Sequence, residues 1–196
     1  NIAQRMIKPN AFMQNIHLFS RFFALFTAVE IIFIIKFQEK GHSPMILQFT
    51  IAALLIVMTI MVHAFMLDIV VKKVGLIETM FIRFFVRMRR ALTLVCVVLA
   101  VYTAHIIQIW IWGLFFMLVG EFDTLEAALY FSTSAFTTLG MGDVVLSDEW
   151  RLMGSIEAAN GFLLFGWSTA FIFEVMSQLY RKEAEVISDQ SSGDRV

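Results

Sequence analysis

Residues 120–151 read GEFDTLEAALYFSTSAFTTLGMGDVVLSDEWR, and this stretch decides the fold. It is too apolar for a simple surface loop. It is also too short to cross a bilayer and return as two helices, since each crossing needs about 20 residues. Its first half carries the marks of a short helix. Asp123 followed by Glu126 resembles a capping box, with Asp in the N-cap role that Ser or Thr more often takes. Positions 124–137 then give about 14 residues, roughly 21 Å at 1.5 Å per residue, enough for half a membrane. TTLGMGD comes next. Further on, Ser147 is the expected N-cap of the next helix, with Asp148 and Glu149 in a first turn where the helix dipole favours acids.

Long apolar runs lie on both sides. Positions 46–67 and 91–120 contain no formally charged residue, and 152–173 contains only Glu157. All three are predicted to span a membrane as helices. A fourth candidate, 19–37, holds Glu30 inside, which costs about 2.5–3.5 kcal/mol at a helix centre; it is read as a span, with a helix lying in the interface as the alternative. The composition agrees: of 196 residues, 59% are hydrophobic and 16% charged, against about a quarter charged in soluble domains. Mean hydropathy is +0.79, which excludes an ordinary soluble domain. Two Pro and 21 Phe favour long helices over a strand-rich barrel. The single cysteine, Cys96, cannot form an intrachain disulfide and argues against a Cys-based metal site.

Charge placement predicts orientation. The connector 68–90 carries Lys72, Lys73, Arg83, Arg87, Arg89 and Arg90 against Asp68 and Glu78, so it is expected on the cytoplasmic side. The segment 120–151 is acidic, with Arg151 its one base, and is expected outside; the tail from Glu174 is then inside.

The order is therefore long helix, half-helix, glycine-containing return, long helix. Irregular backbone at membrane depth is tolerated only where protein surrounds it or where it lines a watery path. On this pattern Thr138-Leu139-Gly140-Met141-Gly142-Asp143 resembles the potassium-channel filter motif, usually written T-V-G-Y-G-D. The resemblance covers about 91–178 and extends to Trp150 at the start of the inner helix and to Gly161 and Gly166, where these channels often have hinge or packing glycines. It implies an all-α integral membrane protein: an outer helix, a re-entrant pore helix with filter, an inner helix, and one or two extra N-terminal spans, assembled as a homotetramer. The domains expected are an N-terminal membrane region at 1–90, the pore domain at 91–178 and a short tail at 179–196, too short for an added nucleotide-binding domain. A bacterial inner membrane is the location that the family implies.

In the resemblance, the backbone carbonyls of Thr138, Leu139, Gly140 and Met141 and the Thr138 hydroxyl form the ion sites, with Gly142 completing the filter. Such carbonyls replace the water that a cation sheds in a narrow pore, and glycines at 140 and 142 permit positive φ. The pore helix would aim its negative end at the central cavity. Met141 departs from the usual Tyr or Phe and loses bracing by a hydroxyl, although Tyr130 and Phe131 lie within reach of packing nearby. That departure opens a poorly selective cation channel as an alternative to one selective for K⁺. Asp143, Ser134 and Glu157 are expected to support the filter and its outer mouth. Asn160, Gly161 and Gly166 are assigned to the cavity or gate.

Glu157, inside a span, is a functional candidate by its position. The structural reading is that it bonds pore-helix hydroxyls such as Ser132 or Ser134; the sharper one is a proton-sensitive gate. His63 and His105, in separate spans without Cys or carboxylate at ligand spacing, are read as neutral helix-packing histidines. Trp110, Trp112 and Trp167 fit an interfacial belt or helix packing. Arg83, Arg87 and Arg90 recur at helical spacing, but at most two spans precede them, so an amphipathic helix at the inner surface is preferred to a voltage sensor. The run 189–196 is polar and expected to be disordered. No nucleophile–base arrangement, phosphate loop or nucleic-acid patch is visible. No enzyme activity and no cofactor are expected, K⁺ being only the permeant ligand; the partners are lipids and further copies of the chain. A non-conducting subunit docking other membrane proteins through 19–67, and a proton-coupled transporter, are rivals of other classes.

Overall fold

The computed structural model describes residues 45–82 and 88–193, with side chains over 45–76, 88 and 91–181. The candidate span 19–37, like Arg83 and Arg87, lies outside these residues. Four helices and no strand are found among them: α1 (Met45–Ile82), α2 (Arg89–Leu118), α3 (Leu125–Phe136) and α4 (Arg151–Gly193). The chain divides into two compact units, Asn1–Ile51 and Ala52–Val196. The second unit holds α2, α3, α4 and most of α1.

Three helices hold segments long and apolar enough to cross a membrane: Met45–Leu76, Ala91–Leu118 and Arg151–Arg181. The first exceeds its expected bounds. Helix α1 runs through Asp68 and Lys72, which pair at 2.5 Å one turn apart, so the first half of the basic connector is helix rather than loop. Helix α4 likewise passes the expected end of the pore domain at 178 and takes in 189–193. The expectation of disorder there is corrected: a long helix already nucleated adds residues at little cost, and Arg181-Lys182-Glu183-Ala184 are good helix formers.

Large apolar side chains stay exposed along these helices, among them Val95, Leu99, Tyr102, Leu114, Phe162 and Leu163. A soluble surface rarely tolerates such contiguous apolar area; hydrocarbon or another apolar surface does. Inside the chain, α2, α3 and α4 pack on one another. At the α3 end, Phe116 meets Phe131 edge-on at 5.3 Å, and Phe122 lies 5.5 Å from Phe131. Phe115 meets Trp150 at 5.6 Å. Trp112 is fully buried, so it serves helix packing, whereas Trp110 and Trp167 keep partly exposed rings. At the other end of the bundle, Val70, Val97, Val175 and Leu179 form a core joining α1, α2 and α4.

Candidate functional site

The site begins where α2 stops. Gly120 takes φ +82, its N–H donates to the Met117 carbonyl at 3.2 Å, and the Glu121 N–H donates to the Phe116 carbonyl at 3.0 Å. This is the paired bonding of a Schellman end, in which glycine occupies the left-handed position. The turn delivers Glu121 to the far side of the return, where its carboxylate accepts from the Ser147 N–H at 2.7 Å and the Ser147 hydroxyl at 2.8 Å. Ser147 was expected to cap the last helix with its side chain. Instead its hydroxyl is taken by Glu121, its carbonyl accepts from Trp150 and Arg151, and α4 starts at Arg151. The bond that Ser147 donates to the Glu121 carboxylate is charge-assisted and therefore among the stronger kind. The N-cap of α3 is also corrected, from Asp123 to Thr124, whose hydroxyl accepts from the Ala127 N–H at 3.2 Å. The helix is accordingly 12 residues long.

Ser134 organises the return. Its carbonyl accepts from the N–H groups of Leu139 at 2.9 Å and Gly140 at 3.2 Å, and its hydroxyl accepts from the Met141 N–H at 3.0 Å. No peptide bond here is cis. In a trans peptide the N–H and the preceding C=O point opposite ways. Drawing three successive N–H groups to Ser134 therefore turns the carbonyls of Thr138, Leu139 and Gly140 away from α3. The backbone reaches this arrangement through positive φ at every second residue, Thr138 (59°), Gly140 (60°) and Gly142 (78°). Glycine adopts that region freely. A β-branched threonine does not, so Thr138 is a genuine outlier, the kind of strain that collects at functional sites. Leu139 and Met141 are exposed on the single chain.

The return is also braced by Tyr130, which the sequence placed within packing reach of Met141 but did not assign to the filter support. Its hydroxyl lies 2.8 Å from Asp143 Oδ2 and 2.9 Å from Met141 Sδ. The bond to the Asp143 carboxylate pushes the Tyr130 phenol above its ordinary value, since losing the proton would set two negative groups face to face. Met141 itself carries no hydroxyl; a hydroxyl from α3 reaches it instead.

Glu157 is fully buried one layer behind. Its carboxyl meets the Ser132 hydroxyl, which also donates to the Ile109 carbonyl at 3.0 Å. Ser132 has one hydrogen and two oxygens to serve. Both contacts are satisfied when Glu157 carries a proton and donates to Ser132, which donates to Ile109. The relay ties α4, α3 and α2 together. It supports the structural reading of Glu157, through Ser132 and not Ser134.

The residues assigned to cavity and gate separate. Asn160 is buried and donates to the Thr59 hydroxyl of α1 at 2.8 Å. At Gly161 an added Cβ would sit 2.0 Å from the Phe136 carbonyl oxygen, so at this glycine α4 packs directly on the backbone at the end of α3. Gly166 has open space around it. The α4 helix is continuous through both. Thus Thr138–Gly142, Ser134 and Asp143 come together, Glu157 backs them through Ser132, and Gly161 meets the end of α3. His63 and His105 are buried and hydrogen-bonded, as packing histidines should be. No group of three or more metal-ligating side chains occurs among the described residues.

Residues 92–178 match the model of a family described as ion channel. This segment is an ion-channel domain. The match spans α2, α3, the return and α4 to Gln178, the same stretch that carries the filter resemblance, and it is consistent with a small potassium-channel pore-domain family. Comparison with curated proteins and with solved structures gave no match.

Proposed function

We propose that four copies of this chain form a passive potassium channel, with Thr138, Leu139, Gly140 and Met141 lining one ion path. The observation that carries this is the Ser134 arrangement: three N–H groups are drawn to the pore helix, which leaves a file of carbonyls facing the other way. One chain supplies one wall of such a file, and replacing a hydration shell needs carbonyls from several sides. Gly142 and Asp143 end the file, and the exposed acids Asp123 and Glu126 beside it raise the local cation concentration within a screening distance of about 8 Å. The basic stretch around Lys72 and Lys73 favours the cytoplasmic side for the α1–α2 connector. A bacterial inner membrane is the corresponding location, with lipid against the exposed faces and K⁺ the only bound ion required.

A poorly selective cation channel is the second reading, favoured by Met141. A thioether is a flexible, weak acceptor, and its contact with Tyr130 competes with Asp143 for one hydroxyl hydrogen. Purified protein in a planar bilayer, with K⁺ on one side and Na⁺ on the other, separates the two. A reversal potential near the K⁺ limit supports the selective channel; one near zero with clear current supports the second reading. Absence of current, with no tetramer on cross-linking in lipid, refutes both.

A further inference from the structure

Away from the filter, four buried polar side chains from three helices meet: His63 of α1, His105 and Gln108 of α2, and Ser168 of α4. Gln108 Nε2 is 3.1 Å from His63 Nδ1, and His63 Nε2 is 3.2 Å from Ser168 Oγ. Ser168 Oγ is 2.9 Å from His105 Nε2, and His105 Nδ1 is 2.9 Å from Gln108 Oε1. The contacts close a ring. Counting protons shows that the ring is satisfied with both histidines neutral and that it runs one way. Gln108 donates to His63, His63 to Ser168, Ser168 to His105, and His105 back to the Gln108 carbonyl.

The opposite direction satisfies the same four contacts, and one further group decides between them. Gln108 Nε2 also reaches the Thr59 backbone carbonyl at 3.3 Å. In the first direction, the second amide hydrogen is donated there. In the reverse direction the amide is flipped and two carbonyl oxygens face each other. Thr59 thereby fixes the amide, and through it both tautomers: Nε2–H on His63 and Nδ1–H on His105.

Ser168 has one alternative acceptor, the Leu164 carbonyl at 2.9 Å. If His105 gains a proton at Nε2, the Ser168 hydroxyl turns to Leu164 and accepts from both rings, and no contact is lost. A proton on His63 Nδ1 would meet the Gln108 amide hydrogen head-on. Facing His105 are His63 from α1, Gln108 from its own helix, Phe136 from α3, and Ser168 and Phe165 from α4. Facing His63 are Gln108, His105, Ser168 and Trp167. Apart from the two histidines these groups are not titratable near neutral pH.

We infer that this ring is a positioning device that pins α1 to the ion-channel domain in one register, and that it accepts a single proton, on His105 and not on His63. Its reach to the pore is short: the His105 ring lies 6.0 Å from that of Phe136, the last residue of the pore helix before the return. The inference does not depend on which ion the filter passes.

The test is solid-state NMR of the full chain in lipid bilayers, with ¹⁵N-histidine. His17→Gln and His42→Gln leave only the two ring histidines, and ¹³C-carbonyl labelling of valine identifies His63 through Val62. Near neutral pH the expected spectrum shows each histidine as a single neutral tautomer, Nε2–H at His63 and Nδ1–H at His105. Acidification should charge His105 first. Gln108→Leu, which removes the amide, should switch His105 to Nε2–H and leave His63 unchanged. In the parent, the same tautomer on both rings, a mixture on either, or the reversed pair would overturn the assignment, and so would a His105 that keeps Nδ1–H in the Gln108→Leu variant. His63 charging first, or neither ring charging before the protein unfolds, would overturn the proton-uptake part. Should Gln108→Leu fail to fold, the parent spectrum alone still decides.

Discussion

Replacing Glu157 tests the brace behind the return most directly. Glu157→Ala removes the carboxyl that meets Ser132 and leaves that hydroxyl with only the Ile109 carbonyl. Losing a hydrogen bond at a fully buried site costs about 1–3 kcal/mol. The side chain is 0% exposed, so its removal also opens a cavity. About 60 Å³ at roughly 24 cal/mol per Å³ adds about 1.5 kcal/mol. The expected loss is therefore about 2.5–4.5 kcal/mol, a large share of a domain's whole stability. Glu157→Gln keeps the shape and puts an N–H donor where the protonated acid donates, leaving one amide hydrogen without a partner, so it should cost clearly less than Glu157→Ala. Reversible unfolding in mixed micelles, followed by tryptophan fluorescence, measures both, and Ser132→Ala closes a double-mutant cycle whose coupling should exceed about 1 kcal/mol. Two results would refute the reasoning. A Gln variant as unstable as the Ala variant would mean that the donor role is wrong. A Gln variant clearly more stable than the parent would mean that Glu157 carries a buried charge, which neutralising relieves.

Other contacts carry their own expected outcomes. On the potassium-selective reading proposed above, Tyr130→Phe should move the K⁺/Na⁺ reversal potential toward zero, because Asp143 and Met141 both lose the hydroxyl that reaches them. The bond from Tyr130 to Asp143 raises the phenol's titration, so its contribution is complete below the ordinary value of about 10 and is lost as pH rises through the raised one. Selectivity in the parent should stay flat on the alkaline side up to that range, as reversal potentials across pH would show. Gly161→Ala should destabilise by about 3 kcal/mol or more, since the new methyl would meet a backbone oxygen that cannot turn aside. Gly166→Ala, with open space around it, should be tolerated or gain up to about 1 kcal/mol of helix propensity; thermal unfolding separates the two glycines. Glu121→Ala should cost about 1 kcal/mol and speed proteolytic nicking of the return near Ser147, because two bonds to that residue are lost.

Uncharged runs located three spans because hydrocarbon penalises charge, and that penalty is a property of composition. The acidic, glycine-bearing stretch at 120–151 showed a half-helix and a return because neither its length nor its polarity suits a full crossing or a loop. The helix ends were less legible. Asp123 and Ser147 both looked like caps, but Thr124 caps α3 and the Ser147 hydroxyl is held by Glu121, and cap choice depends on which groups the surrounding chain brings within hydrogen-bond reach.

Pairings over long sequence separations were beyond local pattern altogether. Tyr130 reaches Asp143, Glu121 reaches Ser147, Gly161 meets Phe136, and His63 meets Ser168 across 105 positions. No periodicity encodes these contacts; they exist because α2, α3 and α4 pack with particular faces together and α1 adds its polar side chains to that bundle. The sequence alone determined that this is a helical membrane protein with a short helix and a glycine-containing return, since hydrophobic length and backbone freedom are properties of the chain itself. The tertiary structure decided which hydroxyl and carboxyl groups brace that return and which imidazoles join α1 to α2 and α4, because a hydrogen bond depends on where two atoms finish in space.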